Sequence, residues 1–238
     1  MRIVTATKTV QRNTTLARYA TTAGIVLLVG ALFINLYALS RPEETQLLVY
    51  VIATFFVGYT LSNVGGLLNR RWGRRSDRGL ADALRGLDDR HTLYNYRLGA
   101  DHVLVAPSGV YVLHPKYQGG PIQFADKKWK APQERRSFLN VFAPHDALGN
   151  PALEATSEAE ALKGFLKKHA PEATVEPRPL VVFMNSRAVL EVTDAPVTTL
   201  HVKQLKDYIR RQTKAESLAA PLLTSLETKL GFTAAQES

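Results

Sequence analysis

Two stretches near the N-terminus contain no charged side chain, and they constrain the chain more than any other feature. Residues 19–39 read YATTAGIVLLVGALFINLYAL, and residues 46–69 read QLLVYVIATFFVGYTLSNVGGLLN. Each is close to the ~20 residues that a helix needs to cross a hydrocarbon core. Asn35, Ser62 and Asn63 are tolerable in such helices, and Gly58, Gly65 and Gly66 suit close helix contact. The linker between them, SRPEET, is short and contains Pro42, so the two helices should form a hairpin. A cleaved signal peptide would leave the second span unexplained, and no convincing small-residue cleavage site follows the first. Core helices of a water-soluble protein would show polar residues at helical spacing, which these spans almost lack. The reading is a transmembrane helical hairpin with spans at 19–39 and 46–68, so that residues 1–72 form an anchor in a lipid bilayer.

The charge distribution orients that anchor. The formal net charge is +9, and a basic chain invites a nucleic-acid reading. Residues 1–78 carry ten Lys/Arg against Glu43, Glu44 and Asp77, whereas residues 79–238 are nearly balanced, with twenty against eighteen. Arg2, Lys8, Arg12 and Arg18 precede the first span, and Arg70, Arg71, Arg74, Arg75 and Arg78 lie beyond the second, while the linker has only Arg41. The positive-inside rule then predicts a cell-membrane protein with two spans and both termini in the cytoplasm. Trp72 is expected at the membrane interface. The chain has no cysteine, which excludes disulfides, thiolate metal sites and a cysteine nucleophile.

From Ser76 the pattern is that of a folded cytoplasmic domain, residues 73–238, with a core over 73–200 and helices over 201–238. SDRGLADALRGL spaces Leu80, Leu84 and Leu87 as in a helix, with Ser76 or Asp77 as its cap. HTLYNYRL alternates as a strand does, DHVLVA is an apolar run, PSG is a turn, and GVYVLHPKY is the next strand. GPIQFADKKWK follows as further strand. NPALEATSEAEALKGFLKKHAP reads as a helix capped by Asn150, with Pro151 at its first position and Lys167, Lys168 and His169 in its last turn. PLVVFMN, AVLEV and PVTTL are short strand signals, and HVKQLKDYIRRQ and residues 217–232 close the chain as helices. Helices and strands are mixed, which implies an α/β class domain.

The pieces GRRSD (73–77), DHVLVAPSGVYVLHPK (101–116), GG (119–120), NPALEA (150–155) and VVFMN (181–185) occur in an order that resembles the nuclease-related domain (NERD). That family belongs to the PD-(D/E)XK restriction-endonuclease-like fold, so the resemblance implies a mixed sheet flanked by helices. It also implies roles. Asp77 stands where members have a glutamate near the first helix start, Asp101 matches the hairpin aspartate, and His114 with Lys116 represents the Glu-x-Lys motif. Asn150 and Pro151 match an asparagine-proline motif, and Glu154 replaces a helix glutamine. In an active member, carboxylates such as Asp77 and Asp101 hold Mg²⁺ or Mn²⁺, the metal polarises the phosphodiester and activates water, and the lysine orients that water or stabilises developing charge.

His114 departs from that pattern, because imidazole is a borderline ligand that favours Zn, Mn or Fe over Mg. Three outcomes follow: the site is dead, it uses a softer metal, or a nearby acid such as Glu154 or Asp77 replaces the lost carboxylate. Pro115 also removes a backbone donor, which suggests a bulge or an edge. Elsewhere, Lys127, Lys128, Trp129 and Lys130, with Arg135 and Arg136, could grip a nucleic-acid backbone and stack on a base; the bland alternative is a charged hairpin tip. His145 reads as an exposed loop histidine. Two functions follow: a membrane-tethered, metal-dependent nuclease with a degenerate site, or a catalytically inactive module that binds nucleic acid or protein at the inner membrane surface. The oligomeric state is not legible.

Overall fold

The computed structural model describes the chain apart from residues 42, 73–74, 133–147, 172–174, 216–227 and 229–238. Arg135, Arg136, His145 and the helix expected over 217–232 therefore lie outside the described residues, Thr228 excepted. The described residues form two compact units: Thr7–Arg75, and Met1–Ala6 joined to the residues from Ser76 onward.

The first unit is a pair of helices, α1 (Thr7–Leu39) and α2 (Gln46–Trp72). α1 begins well before the uncharged stretch. Its buried residues are Val10, Ala17, Gly24, Ala31 and Ala38, spaced two helical turns apart and so aligned on one stripe. Small side chains on that stripe let the backbones approach closely. A Cβ on Gly24 would run into the backbone nitrogen of Ser62, and one on Gly58 would lie 3.0 Å from the Gly24 carbonyl oxygen. Away from the stripe, large apolar side chains such as Phe33, Leu39, Phe56 and Leu67 are exposed. Both helices are long and apolar enough to cross a membrane. Trp72 is buried, with the Arg71 guanidinium 5.3 Å from its ring centroid.

The second unit is a mixed α/β domain. Its strands are β1 (Arg2–Thr5), β2 (Thr92–Asn95), β3 (His102–Ala106), β4 (Gly109–Lys116), β5 (Gly120–Ala125), β6 (Lys128–Lys130), β7 (Arg178–Phe183), β8 (Ala188–Val192) and β9 (Thr198–His201). Its helices are α3 (Ser76–Ala83), α4 (Pro151–His169) and α5 (Val202–Ala215). A six-stranded sheet runs β1-β2-β3-β4-β7-β9, and a smaller sheet runs β6-β5-β8. Side chains alternate across the larger sheet. Val103, Val105, Val110 and Val112 pack against Ala159, Leu162 and Leu166 of α4. Leu104, Tyr111 and Leu113 face the other way, onto Leu80 of α3 and Leu205 and Ile209 of α5. The expected class, a mixed sheet flanked by helices, is the class observed.

β1 was not legible in the sequence. Arg2–Thr5 reads as a basic flank of the first span, yet it pairs in parallel with β2, from Arg2 opposite Thr92 to Thr5 opposite Asn95. The apolar helix pair is thus inserted between the first strand of the domain and α3, not placed ahead of the domain.

Pro115 produces no edge strand, because β4 lies inside the sheet. The β3–β4 ladder runs from Ala106 opposite Gly109 to Val103 opposite Val112 and stops there, while the parallel β4–β7 ladder continues to Lys116. The Met184 amide donates to the Lys116 carbonyl at 2.7 Å, so backbone alternation turns the Pro115 nitrogen to the side that β3 has left. The proline therefore forfeits no ladder bond. Beyond it, residues 120–130 form a hairpin rather than one strand, with Asp126 and Lys127 at φ of 53° and 59°. Two residues at positive φ fit a two-residue turn whose twist matches the strands.

α4 starts as its sequence dictates. The Asn150 side-chain oxygen accepts the Leu153 amide at 3.2 Å, and Pro151 fills the first turn, where no amide donor is needed. Replacing Asn150 with alanine is expected to cost about 1 kcal/mol, read as a lower unfolding midpoint. An unchanged midpoint would show that this cap contributes nothing.

Candidate functional site

His114, Lys116 and Glu154 meet on the α4 face of the sheet. His114 and Lys116 share the face of Val112 on β4, and Glu154 stands in the first turn of α4 opposite them. The Lys116 Nζ donates to Glu154 Oε2 at 2.7 Å, and His114 Nε2 lies 3.2 Å from the same oxygen. The other ring nitrogen, Nδ1, lies 2.8 Å from Oε1 of Glu158, one turn further along α4. Gly149, at φ +64°, lets the Glu154 carboxylate lie close, since a Cβ there would approach Oε1 to 2.7 Å.

An ionised carboxylate only accepts hydrogen bonds. With a separate carboxylate at each nitrogen, the ring is complementary to its partners only when both nitrogens carry protons. Burial opposes that charge at His114, but the bonds to Glu154 and Glu158 and the charge of Glu158 outweigh it, so its pKa is raised. The Glu154 carboxyl is held down at about 2, first by the bond from His114 and, against the opposing effect of burial, by Lys116 as well. Two cations and two carboxylates thus neutralise one another.

The pH dependence follows from those directions. Glu154, with a depressed pKa, contributes stability that is present above its ordinary value near 4.5 and is lost as pH falls toward 2. His114, with a raised pKa, contributes stability that is present below its ordinary 6.5 and is lost as pH rises through the raised value. The cluster is therefore expected to stabilise most between about pH 4.5 and 6.5. Unfolding midpoints measured across pH should fall on both sides of that window, and Glu154→Gln should flatten the acid limb. An unaltered acid limb in Glu154→Gln would contradict the assignment.

Asp101 and Asp77 form the rest of the expected set. Asp101 lies just before β3, and the β3–β4 register carried two residues past its last pair would set Asp101 opposite His114. Asp77 lies in the first turn of α3 and is buried. Both carboxylates lie near Tyr96, whose hydroxyl is pushed up to about 12 by burial, with their charges adding to the effect. The Tyr96 amide donates to the Asp101 carbonyl at 2.7 Å.

The donor set does not fit a hard divalent cation in this arrangement. An imidazolium has no lone pair to give, and Glu154 is already shared between two cations. Among the described residues, no three of His, Asp and Glu are placed to hold a metal ion. Lys127, Lys128 and Lys130 stand exposed along the β5–β6 hairpin. Trp129 is half-buried, its ring 5.0 Å from Phe124, so it packs inward instead of offering a free stacking face.

The sequence reading missed Glu158, Tyr96, His102 and Ser76. A signal for Glu158 was present: Glu154 and Glu158 are one turn apart, and like charges at that spacing repel unless a cation lies between them. Tyr96, His102 and Ser76 carried no such signal.

No curated protein and no solved structure matches the chain. One family does. Its match spans residues 72–184, just under half of the chain, and includes Asp77, Asp101, His114, Lys116, Glu154 and Glu158. The model it matches over residues 72–184 is that of the nuclease-related domain, NERD.

Proposed function

We propose that this chain is a membrane-anchored, nuclease-related module that binds nucleic acid at the cytoplasmic surface without metal-dependent cleavage. The observation that carries this reading is the pair of carboxylates at the two ring nitrogens of His114, at 2.8 and 3.2 Å. Where a PD-(D/E)XK nuclease would hold a cation between carboxylates, this domain supplies the positive charge from its own imidazolium and ammonium. Two long apolar helices support the anchor, and the basic flanks support cytoplasmic termini. A reporter fused to the C-terminus and active only outside the cytoplasm would refute that topology.

The exposed Lys127, Lys128 and Lys130 are the proposed phosphate contacts. Replacing all three with alanine is expected to weaken binding to every sequence alike. It should also lower the slope of log affinity against log salt by roughly 0.7–0.9 per lost contact. Unchanged binding and slope would place the nucleic-acid surface elsewhere.

A second reading, a nuclease with rearranged ligands, is favoured by one observation: the register that carries Asp101 toward His114. The full chain in detergent micelles, incubated with labelled DNA or RNA and Mg²⁺ or Mn²⁺, separates the two. Binding without cleavage is expected. Cleavage by the wild type that Lys116→Ala abolishes would overturn the proposal in favour of the nuclease.

A further inference from the structure

Thr5 and Ser76 mark the points where the chain leaves the α/β domain for the apolar helices and where it returns. Thr5 ends β1 one residue before α1 starts, and Ser76 begins α3 shortly after α2 ends. Neither side chain bonds the other, yet an unbroken hydrogen-bonded series joins them. The Asn95 Nδ2 donates to Thr5 Oγ1 at 3.0 Å, and Asn95 Oδ1 lies 2.8 Å from His102 Nδ1. His102 Nε2 lies 2.8 Å from Ser76 Oγ, which is 3.2 Å from the Tyr96 hydroxyl. Asn95, His102 and Ser76 are all buried, at 0%, 1% and 5% exposure.

A neutral histidine satisfies the series in one direction. Because Asn95 donates to Thr5 with its nitrogen, its oxygen faces His102 and must accept, so Nδ1 carries the ring proton. Nε2 then accepts from the Ser76 hydroxyl, and Ser76 in turn accepts from Tyr96. Every bond in the series is satisfied by a neutral histidine. At its far end Tyr96 sits at φ +59°, a strained conformation for a tyrosine, with its ring 4.9 Å from that of His102 in an edge-to-face contact. Strain at a bulky residue persists only where its surroundings over-determine it, and Tyr96 is held by His102, by Ser76 and by its amide bond to the Asp101 carbonyl.

We infer that His102 is a positioning residue: through Asn95 and Ser76 it ties both junctions with the apolar helices to Tyr96, and so to the backbone that places Asp77 and Asp101. This holds whether or not the domain cleaves nucleic acid, because it concerns how the acidic half of the site is held. A displacement of either junction is transmitted to the α3 start and to the strained Tyr96 turn, while β7 and β9 on the far side of the sheet take no part.

The test uses the full chain in micelles with the mild variants Thr5→Val, Ser76→Ala and their combination, followed by amide hydrogen exchange and by nitrogen-15 NMR of the histidines. Expected are a neutral His102 protonated at Nδ1 and exchange at residues 76–80 and 93–96 faster by about tenfold in either single variant. The double variant should be little faster than either single one, because each breaks the same series. Strictly multiplicative effects in the double variant, a proton on Nε2 in place of Nδ1, or acceleration spread equally into β7 and β9 would each overturn the inference.

Discussion

Replacing His114 with leucine is expected to destabilise the domain by about 3 kcal/mol, the lower end for removing one partner of a buried ion pair. The His114 side chain is 12% exposed and Glu158 25%, so solvent replaces the lost partner poorly. Glu158 would suffer most, because its other oxygen, Oε2, is buried and makes no hydrogen bond among the described residues. The companion variant, in which both His114 and Glu158 become leucine, should recover most of the loss, since no orphaned charge remains. Thermal unfolding of the three proteins at pH 6 reads this directly. A harmless single substitution would mean that the cluster holds nothing together; a double variant no better than the single would mean that His114 acts through packing alone.

Gly24→Leu is expected to have the other large effect, on the helix pair. A Cβ at residue 24 meets the α2 backbone at Ser62, which cannot move aside as a flexible side chain would. The two helices must separate there, at a cost of about 1–3 kcal/mol or more. Gly30 provides the control, because a Cβ there meets nothing within 4 Å. Thermal unfolding in micelles should show Gly24→Leu well below the wild type and Gly30→Leu unchanged. Equal midpoints for the two variants would contradict the close packing along the small-residue stripe.

The parts of this molecule that the sequence revealed are those governed by local pattern. The uncharged spans, the apolar runs of β3 and β7, the turn between Ala106 and Gly109, and the Asn150–Pro151 helix start all follow from residues adjacent in the chain. β1 escaped because four residues ahead of a membrane-like span carry almost no periodicity, and their partner, β2, lies ninety residues away. The same limit applied to the site. The β3–β4 hairpin that carries His114 and Lys116 was readable from its turn and apolar runs. The bond between His114 and Glu158 depends on how α4 crosses the sheet, which no local pattern records. Pro115 misled for a related reason: whether a missing donor matters depends on where the neighbouring strand stops.

The repair of the missing carboxylate is also clearer in space than in sequence. At α4, Glu154 and Glu158 are paired with His114 and Lys116, partners that the residues before and after position 114 do not reveal. His114→Glu would leave three carboxylates around one lysine.

Nitrogen-15 NMR of the full chain, labelled at histidine and recorded in micelles at pH 6 with and without Zn²⁺ or Mg²⁺, reads the protonation of His114 itself. Both ring nitrogens of His114 are expected to carry protons, and neither signal is expected to move when the cation is added. A neutral His114 with one bare nitrogen, whose signal shifts as Zn²⁺ is titrated in, would show a metal ligand in place of an internal cation.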